Sequence, residues 1–257
     1  MKEFWQKQAK KHGSDVKAVN FDLLEDKLEF LQLEKLVIPY NTIGDLGCGN
    51  GRATIFLAQK FPAKKFIGID FIPEMIEAAT KEKSNLKLKN VEFHVGNMSE
   101  KDLNNNFGFH FDFIFTKRLL INLKGEQKFN GIENIFSMLN ENGIYALIEC
   151  FEEPLMKINS IREHLGLAKI EVNYFNEYLK ENFIDYVKKY GDLKEMIDFE
   201  SFYYFISRVF NAKLTEGTPP DYFAPINLLT VELMSAGLAP DIKGYAPEKI
   251  YVFKKKK

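Results

Sequence analysis

Residues 43–51 read IGDLGCGNG, with three glycines in five positions. The apolar run TIGDL (42–46) leads into them, and Ile55, Ala58 and Phe61 follow at helical spacing. A strand that turns through bare backbone into a helix is the place where an open α/β sheet binds nucleotide-like ligands. Gly47, Gly49 and Gly51 are expected to bring the backbone close to such a ligand, because no side chain stands between them.

The surrounding pattern agrees. Short apolar runs recur at KFIGID (65–70), VEFHV (91–95), FDFIFT (111–116) and GIYALIEC (143–150), with helical patterns between them. Strands alternating with helices predict βαβ units and a mainly parallel sheet. Pro73 fits the first turn of a helix, and NENG (140–143) a helix end followed by a turn. Residues 1–20 read as a polar helical lead-in. Leu24, Leu28, Leu31 and Leu36 mark an amphipathic helix. After residue 150 the rhythm breaks. The expected order is helices over 151–200, a strand over 201–210, a helix over 226–237 closed by Gly237, and a last strand over 249–253.

The glycine spacing separates two ligand classes. Dinucleotides ask for G-x-G-x-x-G and a phosphate over the helix N-terminus. Here the spacing is G-x-G-x-G, Arg52 stands at the third dinucleotide glycine, and Asp45 precedes the first glycine by two residues. A carboxylate there repels phosphate and attracts ammonium. S-adenosylmethionine has no phosphate; it carries an ammonium, a carboxylate and a sulfonium. Asp45 suits its cationic groups. Asp70, ending the next strand, suits two ribose hydroxyls. Asn97 and Met98, past the third strand, suit the adenine, Asn97 as acceptor from its amino group. Thr116 is expected near the cofactor, and Cys48 and Phe71, beside these residues, complete the predicted seat.

The motifs DLGCGNG (45–51), GIDFIPEMIEAA (68–79), VGNM (95–98) and FDFIFTKRLLINL (111–123) resemble those of class I S-adenosylmethionine-dependent methyltransferases. The resemblance implies a Rossmann-like, seven-stranded, mainly parallel sheet. Residues 1–40 would form a helical lid and 41–150 the cofactor-binding core. Residues 151–200 would be a helical, aromatic-rich acceptor lid inserted after strand 5, and 201–257 would complete the sheet. Many family members have Asp where Asn97 stands. RLLINL, SFYYFISRVFNAKL and INLLTVEL also resemble a bacterial subgroup found with surface-polysaccharide biosynthesis, which implies O-methylation of a sugar-derived or anionic acceptor in capsule or cell-surface glycan assembly. Many of that subgroup have His where Phe175 stands.

Methyl transfer from a sulfonium is an in-line displacement, so alignment and exclusion of water are the main tasks. A base is needed only when the acceptor must lose a proton. Arg118 is suited to an anionic acceptor, and Glu149, after the fifth strand, is a candidate base, with Glu152 beside it. Residues 172–225 hold fourteen Phe and Tyr. From this region Tyr174, Asn176, Tyr203 and Arg208 are the candidate acceptor-binding residues, Arg208 because a charge in an apolar strand needs a partner. Trp5 is expected to fold over the cofactor.

Composition sets limits. Lys and Arg total 35 against 36 Asp and Glu, which gives no basic field for nucleic acid. Two cysteines make neither a disulfide framework nor a metal cluster. The polar N-terminus is no signal peptide, and no apolar run reaches ~18 residues. The expectation is a cytoplasmic enzyme acting on a small molecule, without a metal. An N-methyltransferase acting on a small amine and a non-catalytic adenosyl-ligand binding protein are the competing readings, with a nicotinamide-dependent oxidoreductase behind them.

Overall fold

A computed structural model describes residues 2–13, 15, 22–101, 103–215 and 221–257 of the chain. In chain order it has α1 (Lys2–His12), α2 (Leu23–Val37), β1 (Thr42–Leu46), α3 (Arg52–Lys60), β2 (Lys65–Asp70), α4 (Pro73–Asn85) and β3 (Val91–Val95). Next come α5 (Leu103–Phe107), β4 (Phe111–Lys117), a 3₁₀ turn (Leu120–Asn122), α6 (Glu126–Met138), β5 (Leu139–Cys150), α7 (Glu152–His164) and α8 (Phe183–Val187). The chain closes with β6 (Gly191–Ile197), α9 (Ser201–Phe205), a π-helical stretch (Ile206–Asn211), α10 (Ala212–Leu214), α11 (Pro225–Ser235) and β7 (Glu248–Lys255).

The sheet has seven strands in the order β3-β2-β1-β4-β5-β7-β6. The first five are parallel, and β7 runs antiparallel to both β5 and β6. The central strands are apolar on both faces because helices cover both. On β4, Phe111 and Ile114 join the core beneath α6, while Phe113 and Phe115 join the core with α2, α3 and α11. On β7, Tyr251 and Phe253 take the first side and Ile250 and Val252 the second. Such two-sided burial is what parallel sheets demand. Chain order reverses between β1 and β4, so the crevice at their carboxyl ends is the switch point of the sheet.

Several expectations are corrected. The 201–210 stretch is helical rather than a strand, and the strand before β7 is β6, inside the region expected to be helical. The 140–143 stretch lies within β5, where Asn142 takes φ 63° and the register with β4 shifts. α2 is not part of a lid: Leu24, Leu28, Leu33 and Val37 are buried against the sheet. The lead-in helix expected over 1–20 is present as α1 over Lys2–His12, while residues 1, 14 and 16–20 lie outside the described residues. Gly237 does close α11, at φ 71°.

Candidate functional site

The glycine turn is built as much by packing as by ligand access. Gly47 and Gly51 hold φ of 81° and 74°, which L side chains rarely adopt. A Cβ at Gly51 would stand 2.7 Å from the Phe93 ring and 2.8 Å from the Ala79 methyl; one at Gly47 would stand 2.9 Å from Leu119. Gly47 and Gly49 line the cavity described below and Gly51 does not. Gly51 therefore serves the close approach of α3 to β3 and α4, not that of a ligand.

A cavity of about 620 Å³ opens at the carboxyl ends of β1, β2 and β4, within the usual ~300–1,000 Å³ of small-molecule sites. Asp45, Cys48, Asp70, Phe71, Asn97 and Met98 line one half of it. Asp70 accepts the Gly49 N–H on Oδ2 and the Ile72 N–H on Oδ1, both at 2.9 Å, which fixes its plane at the rim of the turn. Burial pushes Asp70 up to about 6, against the backbone donors. Asp45 accepts the Thr54 hydroxyl at 2.6 Å, and burial pushes it up to about 7. Both carboxylates are thus desolvated and gain from a ligand that donates to them. Burial also drives the Cys48 thiol well above its usual range, which leaves it inert. Asn97 turns its Oδ1 onto Ser99, accepting the backbone N–H at 3.1 Å and the hydroxyl at 2.8 Å, and so is engaged locally rather than held open for an adenine amino group.

The other half is walled by Phe175, Asn176, Tyr178, Tyr204, Arg208 and Tyr222, with Glu25, Glu200 and Glu248 among the polar groups. α1 forms the roof. Phe4 and Trp5 pack on Phe175 at ring-centroid distances of 4.4 and 5.8 Å. The Trp5 indole donates to Asn122 Oδ1 at 3.2 Å, and Asn122 in turn donates to the Arg118 carbonyl at 2.7 Å. The roof is thereby tied to the turn after β4, where Arg118 itself sits at φ 54°.

Not every predicted site residue reaches the cavity. Thr116 is fully buried and bonds the Tyr145 hydroxyl at 2.8 Å. Glu149 is fully buried too. It accepts the N–H groups of Leu119, Leu120 and Ile121 at 2.9, 2.8 and 3.2 Å, so it shapes the turn after β4 instead of facing an acceptor. Burial pushes Glu149 up to about 7, those three donors working against the shift. Tyr203 is fully buried and donates to both oxygens of Asp22 at 2.8 Å. Tyr174 is exposed, outside the cavity. Glu152 starts α7 and does not line the cavity either. Arg118, Arg208 and Asn176 do line it.

The two arginines are already paired. Arg118 lies between Glu29 and Glu248, 2.6 Å from the latter, and Arg208 meets Asp22 at 2.8 Å. Burial works against their charge, but Glu248 and Glu29 hold Arg118 fully protonated, and Glu25 does the same for Arg208. Lys117 is bound by Asp26 at 2.9 Å and Glu29 at 2.5 Å. Asp22 and Glu25 at the start of α2, Glu200 before α9 and Glu248 at the start of β7 are the residues that sequence patterning missed. No periodicity marks them, because three separate segments deliver them.

Among the described residues no helix is long and apolar enough to cross a membrane. Residues 41–201 match the family model described as "Methyltransferase domain". Over 153 residues the chain is 31% identical to the ribosomal protein L11 methyltransferase of Alkaliphilus oremlandii, covering 57% of this chain and 44% of that one. Over 162 residues it is 26% identical to a carboxy-S-adenosyl-L-methionine synthase of Campylobacter jejuni subsp. doylei, covering 60% and 66%. The chain spans about half the length of the first curated relatives it matches, 44% and 54%. Among solved structures, the N-methyltransferase NodS of Bradyrhizobium japonicum WM9 in complex with S-adenosyl-L-homocysteine superposes with a TM-score of 0.59 at 12% identity, over 98% of this chain and 99% of that one. Magnesium protoporphyrin IX methyltransferase of Synechocystis PCC 6803 gives 0.55 at 13% identity, over 91% and 82%. With its glycine turn, its two rim aspartates and its class I fold, the chain belongs to the methyltransferase-domain family.

Proposed function

We propose that this chain transfers a methyl group from S-adenosylmethionine to a small polar acceptor bound inside the cavity. The observation that carries the reading is the continuity of one roofed cavity from the Asp45–Asp70 turn to the wall of Tyr178, Tyr204 and Tyr222. The seat fits the cofactor: Asp70 is a desolvated carboxylate at the end of β2, posed to accept from the ribose hydroxyls, and Asp45 is a desolvated carboxylate beside the turn, posed for a cationic group. When bound, the cofactor supplies an electrophilic methyl on a positively charged sulfur. The protein's own part is placement and dryness: Asp70 and the Gly47–Gly49 backbone orient, Trp5 and Phe175 exclude water, and the aromatic wall holds the acceptor. Glu149 is not the base of this step, because its oxygens are taken by backbone donors; a hydroxyl acceptor would pass the proton released by methylation to a carboxylate of the cavity wall or to water.

The acceptor is the finer question. A sugar-derived hydroxyl compound, as in surface-glycan assembly, is supported by the aromatic faces on the acceptor side. An anionic acceptor has less support, because Arg118 and Arg208 are neutralised by internal carboxylates. N-methylation of a small amine is the second reading, favoured by Glu25, Glu200 and Glu248 on the same wall. A macromolecular acceptor, the kind named for the L11 relative, sits poorly with a site roofed by α1. The test is methyl-labelled S-adenosylmethionine with the protein and a bacterial extract split at about 1 kDa. Once unreacted donor is removed by chromatography, label that depends on the added protein is expected in a new compound of the small-molecule fraction. Label on protein or RNA instead would refute the reading.

A further inference from the structure

Glu25, Glu200 and Glu248 each bring a carboxylate oxygen to within 4.8 Å of the others. All three border the cavity. Glu200 is fully buried, and neither of its oxygens has a hydrogen-bond partner among the described residues; Glu248 Oε1 is in the same position. A buried acceptor left without a donor is destabilising, more so when it is charged. A desolvated carboxylate aimed into a cluster of others is therefore a site arranged for something absent from the chain itself.

The charge balance says what kind. Asp22, Glu25, Asp26, Glu29, Glu200 and Glu248 form one network with Arg52, Lys117, Arg118 and Arg208. When all are ionised, the acids exceed the cations by two. We infer that Glu25, Glu200 and Glu248 form an anchor for a protonated amine carried by the methyl acceptor.

Three N–H···O bonds of about 2.8 Å from a tetrahedral ammonium set its acceptors roughly 4.6 Å apart, which three oxygens lying within 4.8 Å of one another accommodate. What favours an ammonium over a metal ion is charge: the Arg118 guanidinium, 2.6 Å from Glu248 Oε2, already neutralises part of the cluster and opposes a dication more strongly than a monocation. In the free protein burial and the neighbouring acids raise Glu25, Glu200 and Glu248 above the usual carboxylate range, a cost of ionisation that a bound ammonium offsets. With its three N–H groups engaged and no free lone pair, the anchored nitrogen orients the acceptor, and the methyl goes to another atom.

This anchor rests on the methyltransferase reading above. The test uses the full chain saturated with S-adenosylhomocysteine and compares matched probes by calorimetry: glucosamine against glucose, and n-butylamine against n-butanol. Each amine is expected to bind at least tenfold tighter than its hydroxyl partner. Glu200→Gln and, independently, Glu25→Gln should erase that preference while changing the thioether's affinity less than twofold. Equal binding of amine and alcohol with the thioether still bound would overturn the anchor alone. So would magnesium, manganese or calcium binding that excludes the amine. Failure of the thioether itself to bind would overturn both the anchor and the methyltransferase reading.

Discussion

Gly51→Ala measures why the turn is made of glycine. Position 51 has φ 74°, and its new Cβ would meet the Phe93 ring at 2.7 Å and the Ala79 methyl at 2.8 Å. The left-handed conformation costs an alanine about 1–2 kcal/mol. The Phe93 ring can rotate away, but the Ala79 methyl cannot, so helix α4 must shift. Overpacking of this kind costs about 1–3 kcal/mol. The control is Gly166→Ala, just past α7, where φ is 72° and nothing lies within 4 Å of the added Cβ. The two variants share the backbone cost and differ in the clash. Equilibrium urea unfolding should place Gly51→Ala about 1–3 kcal/mol below Gly166→Ala, with matching m values. Equal stabilities would refute the packing argument. A Gly51→Ala protein of normal stability that no longer binds S-adenosylhomocysteine would return this glycine to the role of ligand approach.

Three further predictions follow from the same geometry. Arg208→Met strips the cation from buried Asp22, leaving it only neutral donors, the Tyr203 hydroxyl and the Leu24 and Glu25 backbone N–H groups, so thermal unfolding should show a loss of roughly 3 kcal/mol; unchanged stability with lost acceptor binding would instead make Arg208 an acceptor ligand. Glu149→Gln sets an amide NH₂ against a backbone N–H and should cost about 1–3 kcal/mol of stability, with kcat for methyl transfer within twofold of wild type; a collapse of kcat at normal stability would restore Glu149 as a base. For pH, Asp70 and Asp45 have folded-state values of about 6 and 7, above the usual 3.8. The native state therefore binds more protons than the unfolded chain between about pH 4 and 7, and the stability these groups contribute is lost as pH rises through that window. A ligand that donates to the ionised forms binds with the opposite trend, so S-adenosylhomocysteine affinity should rise from pH 5 to 8; a flat calorimetric profile would contradict this.

What the sequence disclosed follows from where its signals arise. β1, β2, β4 and β5 are largely buried on both faces and, with the apolar positions of the edge strand β3, read as apolar runs, so they were plain. The edge strand β6 is GDLKEMI, mostly exposed and rich in charge. It is held by its register on β7, as in Asp192 beside Lys254 and Met196 beside Tyr251, and such an edge is protected by the very charges that hide it. The 201–210 run is aromatic and β-branched enough to suggest a strand. Its helix instead puts Tyr203 and Arg208, five residues apart, onto the one buried carboxylate of Asp22, and the π-helical stretch begins between them. A side chain 181 residues upstream is not visible in local pattern. On the site, the strand-end positions Asp45, Asp70, Asn97 and Met98 were legible because topology alone brings strand ends together. Thr116 and Glu149 were read by the same rule, but alternation along β4 and β5 turns them away from the cavity. Glu25, Glu200 and Glu248 come from α2, a loop and β7, and only the closed fold makes them neighbours.

The central claim is a phosphate-free seat for an adenosyl cation or its thioether, shaped by two rim carboxylates. Its most direct test is calorimetric titration of the wild type and of Asp70→Asn with S-adenosylhomocysteine, with NAD as comparator. Loss of charge-assisted bonds to the ribose, about 1.5–3 kcal/mol, predicts that the variant binds roughly ten- to a hundredfold more weakly and that NAD does not bind to either. Unchanged thioether affinity in the variant, or NAD bound in its place, would contradict the account.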